Sequence, residues 1–307
     1  MDKSTLTAFI KKEAIALGFD ACGIANASVV SNECRLFYER WLNKGHQAEM
    51  SYMERNFEKR MDPTELVTSA KSVIVVALNY FHKVADEMVS PKIAKYAVNP
   101  DYHKVIKNKL HELVEIIKLQ GIELNGRTFT DSAPVAERYW ASMAGIGWIG
   151  KNSHMIIPGK GSNFLLGELI VDVELDYDSP QNDKCGTCTK CLEICPGSAL
   201  STENGVDSNR CISYLTIEKK GSFNPDEAKL CFENDYIFGC DICQDVCPWN
   251  KFSTEQTKSF MQPVYPILNL NTKELKNFND TKFKNSFENT CLFRTGLDAL
   301  KRNSGKD

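Results

Sequence analysis

The sequence predicts a layered α/β (α+β) domain, then a smaller domain organised by metal-ligating cysteines, then a short C-terminal extension. Three observations carry this prediction. Helical and strand-like periodicities alternate over residues 1–178, nine of the 12 cysteines fall between Cys185 and Cys247, and the composition turns to Asn, Lys, Thr and Phe after Asn250. A chain of 307 residues is long for one ordinary domain and comfortable for two. With 42% hydrophobic and 25% charged residues it can bury a real core. Its formal net charge of -3 excludes a globally basic nucleic-acid binder but leaves room for a local basic face.

The elements follow in chain order. Leu6, Phe9, Ile10, Ala14, Ile15 and Leu17 recur at helical spacing among lysines, which predicts an amphipathic helix over 4–17 and not a signal peptide. A strand at Ala21–Ala25 and a helix over Met50–Arg60 come next. The run Val73 to Leu78 is short and β-branched, and predicts a buried strand, Val73–Asn79. No stretch approaches the roughly 18 consecutive apolar residues that cross a membrane, so the chain is expected in the cytoplasm. Asp101–Leu119 reads as a long helix with Val105, Leu110, Leu113, Ile116 and Ile117 as its apolar stripe. A strand at Arg127–Thr130 ends at Asp131, a helix runs from about Pro134 to Ala144, and Phe164–Leu175 alternates as a strand or hairpin arm. The Asp-, Ser-, Pro- and Asn-containing segment Asp176–Asp183 divides 1–178 from the cysteine domain, 179–250. The extension, 251–307, carries a helix near Leu292–Arg302.

Clustered cysteines in a reducing compartment favour metal over disulfides. Cys185-x2-Cys188-x2-Cys191-x3-Cys195-Pro196 has the run by which bacterial ferredoxins seat [4Fe–4S] clusters. Three thiolates on one tight loop hold three irons, and the fourth is carried toward a second cluster. The second group, Cys240-x2-Cys243-x3-Cys247-Pro248, has one thiolate fewer. Two cubanes need eight thiolates and these groups supply seven, so Cys211 or Cys231 gives the eighth. Paired zinc knuckles are the competing reading, but zinc sites rarely use the x2-x2-x3-Pro run.

Two nucleotide-binding motifs fail on context. Gly145-Ile-Gly147-Trp-Ile-Gly150 satisfies GxGxxG, but a helix precedes it where a dinucleotide fold needs a strand. Gly145-x4-Gly150-Lys151 lacks the Ser or Thr of a P-loop, because Asn152 stands there. A glycine-hinged loop approaching some other cofactor fits better. Asp131 lies where a strand meets a helix, which suits both an N-cap and a catalytic acid.

Four stretches together resemble the epoxyqueuosine reductase family. They are Asp131-Ser-Ala-Pro-Val-Ala-Glu137, Gly145-Ile-Gly-Trp-Ile-Gly-Lys151, Cys211-Ile-Ser-Tyr-Leu-Thr-Ile-Glu218 and Cys240-Asp-Ile-Cys-Gln-Asp-Val-Cys-Pro-Trp-Asn250. Tyr96-Ala97 with Asp101-Tyr102-His103 fits as well, and the similarity runs from the N-terminal helix to about Asn303. The resemblance implies a nitroreductase-like cobalamin-binding catalytic domain, a ferredoxin-like domain with two [4Fe–4S] clusters, and reduction of the epoxide of epoxyqueuosine at the tRNA wobble position. It implies that Cys185, Cys188, Cys191 and Cys247 hold one cluster, and that Cys195, Cys211, Cys240 and Cys243 hold the other. It makes Asp131 the proton donor as well as a cobalamin contact, with Arg55, Lys151, Asn152, Ser153 and Ser213 as further contacts. Cys22, Cys34, Cys231 and Cys291 are left as ordinary thiols. Many family members continue into a helical-repeat domain that helps grip tRNA, and this sequence ends where that domain would begin.

Removing an epoxide oxygen as water takes two electrons and two protons, and no side chain supplies low-potential electrons. The expected partners are therefore a tRNA and an external electron donor of flavodoxin or ferredoxin type, with no membrane and a monomeric chain. Burial is expected to raise Asp131 so that it keeps its proton. Lys219, Lys220, Lys273, Lys276, Lys282, Lys284, Arg294, Lys301 and Arg302 are the candidate phosphate contacts, with a solvated surface as the plainer reading. A small-molecule corrinoid reductase and a simple electron-transfer protein are the alternatives.

Overall fold

The computed structural model describes residues 1–86 and 91–305. Its main sheet contains β1 (Ala21–Asn26), β2 (Ser72–Asn79), β3 (Gly126–Phe129) and β4 (Phe164–Val171). Their spatial order is β1-β2-β4-β3, and every pairing is antiparallel. Helices cover both faces, so β2 is buried along its whole length. Val73, Val75 and Ala77 face Trp140, Ala141 and Ala144, whereas Ile74, Val76 and Leu78 face Leu6, Ile10 and Leu110. An apolar run without alternation is what a strand covered on both sides requires.

The covering helices are α1 (Lys3–Ala16) and α3 (Tyr102–Leu119) on one face and α4 (Glu137–Met143) on the other. The Asp2 carboxylate caps α1 by accepting from the Thr5 N–H at 2.8 Å, and Asp101 caps α3 through the His103 N–H at 3.1 Å. The buried stripe of α3 is Ile106, Leu110, Leu113 and Ile117, while the expected Val105 and Ile116 lie at its margin. Close contact sets that phase: a Cβ at Gly167 of β4 would stand 2.4 Å from Ile106 Cγ2, so α3 settles on the one residue without a side chain.

Three sequence expectations are corrected. The helix over Met50–Arg60 is a short 3-10 turn, Ser51–Met53, and a separate helix, Phe57–Met61, broken where Asn56 adopts φ 59°. The helix at Leu292–Arg302 is likewise two, Leu292–Thr295 and Leu297–Asn303, parted at Gly296 with φ 86°. An amphipathic helix, α2 (Asn32–Asn43), capped by Ser31, was not anticipated because it is polar on average.

The segments divided at 178 and 250 share cores. The connector's Asp178 accepts from the Ile24 N–H at 2.8 Å and pairs with Lys11 at 2.7 Å. Strand Tyr236–Phe238 of the cysteine segment pairs in parallel with Lys92–Ile93. Ile267, Leu275, Phe283, Phe287, Leu292 and Leu300 of the C-terminal segment pack with Ala97, Val98, Ile237 and Phe238. No helix among the described residues is long and apolar enough to cross a membrane. Gly167→Ala should lower stability by about 1–3 kcal/mol, since Ile106 must leave its rotamer or α3 must lift. Urea unfolding of the two proteins measures it, and equal midpoints would contradict the packing described.

Candidate active site

A cleft of about 840 Å³ opens between the sheet domain and the cysteine segment. Tyr38, Tyr52, Arg60, Tyr96, Tyr102 and Asp131 come from the sheet side, and Cys195, Cys211, Ser213, Cys240 and Cys243 from the other. A second cavity of about 350 Å³ is lined by Cys185, Cys188, Cys191 and Cys247. Eight cysteines of 185–247 thus divide four and four between two cavities, and Cys34 of α2 also lines the larger one. Cys231 lines neither, being buried against Tyr214 and Leu215. Burial pushes the Cys211 thiol up, while the amides of Tyr214 and Ser213 at the start of helix Ile212–Ile217 favour its thiolate. The Ala199 N–H lies 3.3 Å from Cys195 Sγ.

The cysteine loops are seated by polar contacts. The buried Gln244, between Cys243 and Cys247, donates through Nε2 to the Tyr80 hydroxyl at 3.0 Å and to the Ser162 carbonyl at 3.1 Å. Asn250 Nδ2 donates to the Gln244 carbonyl at 2.8 Å, and its Oδ1 accepts from the Ser162 N–H at 2.6 Å. Trp249 stands edge-on to Trp148 at 4.8 Å.

The glycine motif serves this docking, and of its residues Ile149 reaches the wall of the large cleft. Gly145, with φ 68°, ends α4. Gly147 lies so close to the Ile156 carbonyl in the hairpin Trp148–Ile149/Met155–Ile156 that a Cβ would stand 2.0 Å from its oxygen. The hairpin tip reaches the cleft. Asn152 and Ser153 line the large cleft, and the Asn152 amide points to the Cys243 carbonyl at 3.4 Å. Arg138 holds the tip by donating to the Ser153 carbonyl. Lys151 turns the other way, its ammonium donating to the carbonyls of Gly186 at 2.7 Å and Cys188 at 3.0 Å, so it lines the smaller cavity. Arg55 is exposed beside Ser51 and is absent from the cleft wall, where Asn56 and Arg60 stand. The wall fits a large, partly polar ligand, because Arg60 Nε is buried on it without a protein partner.

Asp131 departs from the cap reading and from the raised carboxyl expected of it. It caps nothing, since α4 begins at Glu137; instead the Glu137 carboxylate accepts from the Asp131 N–H, and Asp131 sits at φ 53°. Its side chain remains 51% exposed, yet protein surrounds it within the cleft. Burial would raise its carboxyl, but hydrogen bonding and charge from His103, with Tyr102 and Arg294, outweigh that and hold it below the ordinary range. His103 Nε2 lies 3.1 Å from Asp131 Oδ2, and Nδ1 lies 2.7 Å from Asp101 Oδ1. A doubly protonated ring donates to both carboxylates, which lifts His103 to about 11 against the opposing effect of burial. The proton therefore sits on His103 beside Asp131. Behind them, burial and the charge of Asp131 raise Glu137 to about 7, and burial with the charge of Glu137 raises Glu168 well above the ordinary carboxyl range. The sequence reading gave no role to His103, Glu137 and Glu168. The i, i+2 spacing of Asp101 and His103 at a helix start was the available signal.

Several candidate RNA contacts have structural work. Arg302 donates to the carbonyls of Leu215, Lys219 and Gly221 and lies over Phe223, Lys301 donates to the Phe278 carbonyl, and Lys219 pairs with Glu49 and Glu227. Arg294 pairs with Glu218 on the cleft wall. Lys220, Lys273 and Lys284 stay on the surface.

Comparisons with known proteins identify the family. A family model described as "Epoxyqueuosine reductase QueG, DUF1730" matches residues 60–132, and one described as "4Fe-4S double cluster binding domain" matches residues 184–250. The epoxyqueuosine reductase of Cellulophaga algicola is 45% identical over 96% of this chain and 95% of its own length. That of Escherichia coli is 38% identical over 96% of this chain and 79% of its own. A crystal structure of an epoxyqueuosine reductase with a tRNA-Tyr epoxyqueuosine-modified stem loop has a TM-score of 0.86 at 27% identity, covering 98% of this chain and 80% of that one.

The His103 bridge predicts a pH signature. A raised histidine contributes stability that is fully present below its ordinary value of 6.5 and fades as pH climbs toward about 11. The melting temperature of wild type should therefore exceed that of His103→Gln most at and just below pH 6.5, and the gap should shrink as pH rises above it. A gap that widens with pH would contradict the charged bridge.

Proposed function

The chain belongs to the epoxyqueuosine reductase family, and from that premise we propose that it reduces the epoxide of epoxyqueuosine in a tRNA anticodon loop to the alkene, with two [4Fe–4S] clusters and a cobalamin. The 4Fe–4S double-cluster segment at 184–250 is common to this reading and the family. The observation that carries the rest is the four-and-four division of the cysteines, with one set on the wall of the cleft that also holds Asp131. When bound, the clusters and the corrinoid supply the two low-potential electrons that side chains lack.

Cys195, Cys211, Cys240 and Cys243 would hold the cluster at the cleft, and Cys185, Cys188, Cys191 and Cys247 the cluster in the smaller cavity. Asn152, Ser153 and Ser213, with Arg60 and its unpartnered Nε, would hold the corrinoid. Asp131 would deliver a proton to the departing oxygen, drawing it from His103 Nε2 across 3.1 Å, while Asp101 steadies the imidazole from behind. Glu137 holds the Asp131 loop in its left-handed conformation through the Asp131 N–H. The base enters as an unpaired nucleotide, since RNA is read mainly at splayed loops.

The deciding assay uses cluster-reconstituted protein under anaerobic conditions on epoxyqueuosine-containing tRNA, with and without cobalamin, and weighs the digested nucleosides. Cobalamin-dependent loss of one oxygen supports the reading; no conversion by protein with both clusters and bound corrinoid opposes it. Asp131→Asn should keep clusters and corrinoid but lose at least about 100-fold in turnover. Cys211→Ser should lose iron from one cluster and Cys231→Ser should lose none, so equal iron contents would reverse the choice of ligand.

A further inference from the structure

The smaller cavity opens on a face of unusual character. Around Cys185, Cys188, Cys191 and Cys247 stand four lysines, Lys151, Lys184, Lys190 and Lys251. Lys151 is held by backbone carbonyls, and the other three are exposed. Among the described residues, none of these three ammonium groups has a carboxylate within ion-pair distance; Lys184 lies over Trp148 and Lys251 over Phe252. Neighbouring carboxylates are engaged locally, Asp183 with the Cys185 N–H at 2.7 Å and Glu193 with the Thr189 hydroxyl. Apolar side chains line the same cavity: Ile156, Trp249 and Phe252, the last 41% exposed. The overall charge is -3, so this cationic rim runs against the balance of the molecule.

We propose that this lysine-rimmed apolar face is the docking surface for an acidic, low-potential one-electron carrier protein. The inference rests on the reading that a cluster occupies the smaller cavity, and it adds where and by what chemistry electrons enter. Electron tunnelling weakens steeply with distance, so a donor must reach the cluster's own edge, and Phe252 and Trp249 sit on that edge. In each encounter one electron leaves the carrier's reduced flavin or iron–sulfur centre, which is oxidised by one electron, and the cluster is reduced by one. Two encounters match the reaction's demand. Such an interface should be small, transient and steered by charge, with apolar contact at its centre and a cationic rim. RNA is the other polyanion that lysines attract, but the substrate's reacting base must reach Asp131 in the large cleft, whose wall these three lysines do not share.

The test compares the holoprotein with its Lys184→Gln/Lys190→Gln/Lys251→Gln variant, reading cluster bleaching by stopped flow. Reduced flavodoxin is the protein donor and methyl viologen radical the small cationic control. At low ionic strength the variant should be reduced by flavodoxin about tenfold more slowly, with a flattened salt dependence, as loss of steering demands. Its reduction by viologen and its iron content should not change. Calorimetric titration with oxidised flavodoxin should show the same weakening without any turnover. Equal flavodoxin rates in the two proteins, or a wild-type rate insensitive to salt, would overturn the proposal. So would a variant that loses affinity for a tRNA anticodon stem loop while keeping its flavodoxin rate. If the triple variant loses iron, the single Lys190→Glu substitution carries the same comparison. Cluster bleaching is independent of epoxide chemistry, so a failed nucleoside assay and a failed docking test remain distinct results.

Discussion

The buried amide of Gln244 is the contact on which the site depends. It lies between two cysteines of one loop and reaches the Tyr80 hydroxyl and the Ser162 carbonyl of the sheet domain. A polar group without water must be satisfied by protein, and a network in low dielectric is worth most when every member has a partner. Ser162, Asn250 and Tyr80 provide those partners, so the cysteine loop has one stable seat against the sheet. From that seat follows the geometry of both cavities: Cys240 and Cys243 face the cleft, while Cys247 turns to the other side. The Trp148–Trp249 contact adds apolar area to the same joint.

Charge arrangement at the cleft mouth has a related logic. Asp131 is held between an imidazole in front and two buried carboxyl groups behind. Glu137 and Glu168 cannot both ionise without water, so at least one stays protonated, which limits negative charge at the back of the site. His103, bridging Asp101 and Asp131, then carries the proton that is available for transfer. In the reaction proposed above, Asp131 would address the substrate and His103 would store the proton. The left-handed conformation of Asp131 is tolerated because aspartate accepts it more readily than most residues and Glu137 secures its N–H.

Much of this was written in local pattern. The continuous β-branched run of β2, the helical stripe of α1 and the Cys-x2-Cys-x2-Cys-x3-Cys-Pro run each express a short-range rule of pleat, helix turn or metal ligation. Helix α2 is amphipathic but polar on average, so its apolar residues do not stand out as a run. The supposed helix at 50–60 misled because its periodicity held, while one asparagine took a left-handed turn. Lys151 and Arg55 could be placed in a neighbourhood by motif, but the direction of a side chain is decided by what packs against it.

The sequence by itself determined the layered domain and the cysteine-organised second domain, because residue type and spacing encode those directly, and it singled out Asp131 for its place between a strand and a helix. Tertiary structure alone decided that the eight cysteines divide between two cavities, that Cys231 lies outside both, and that the proton near Asp131 rests on His103. These are facts about distance and burial between groups remote in the chain, with Asp131 meeting His103 across 28 positions and Gln244 meeting Tyr80 across 164. Electrostatic energy depends on separation in space and on exclusion of water, and neither is set until the chain has closed on itself.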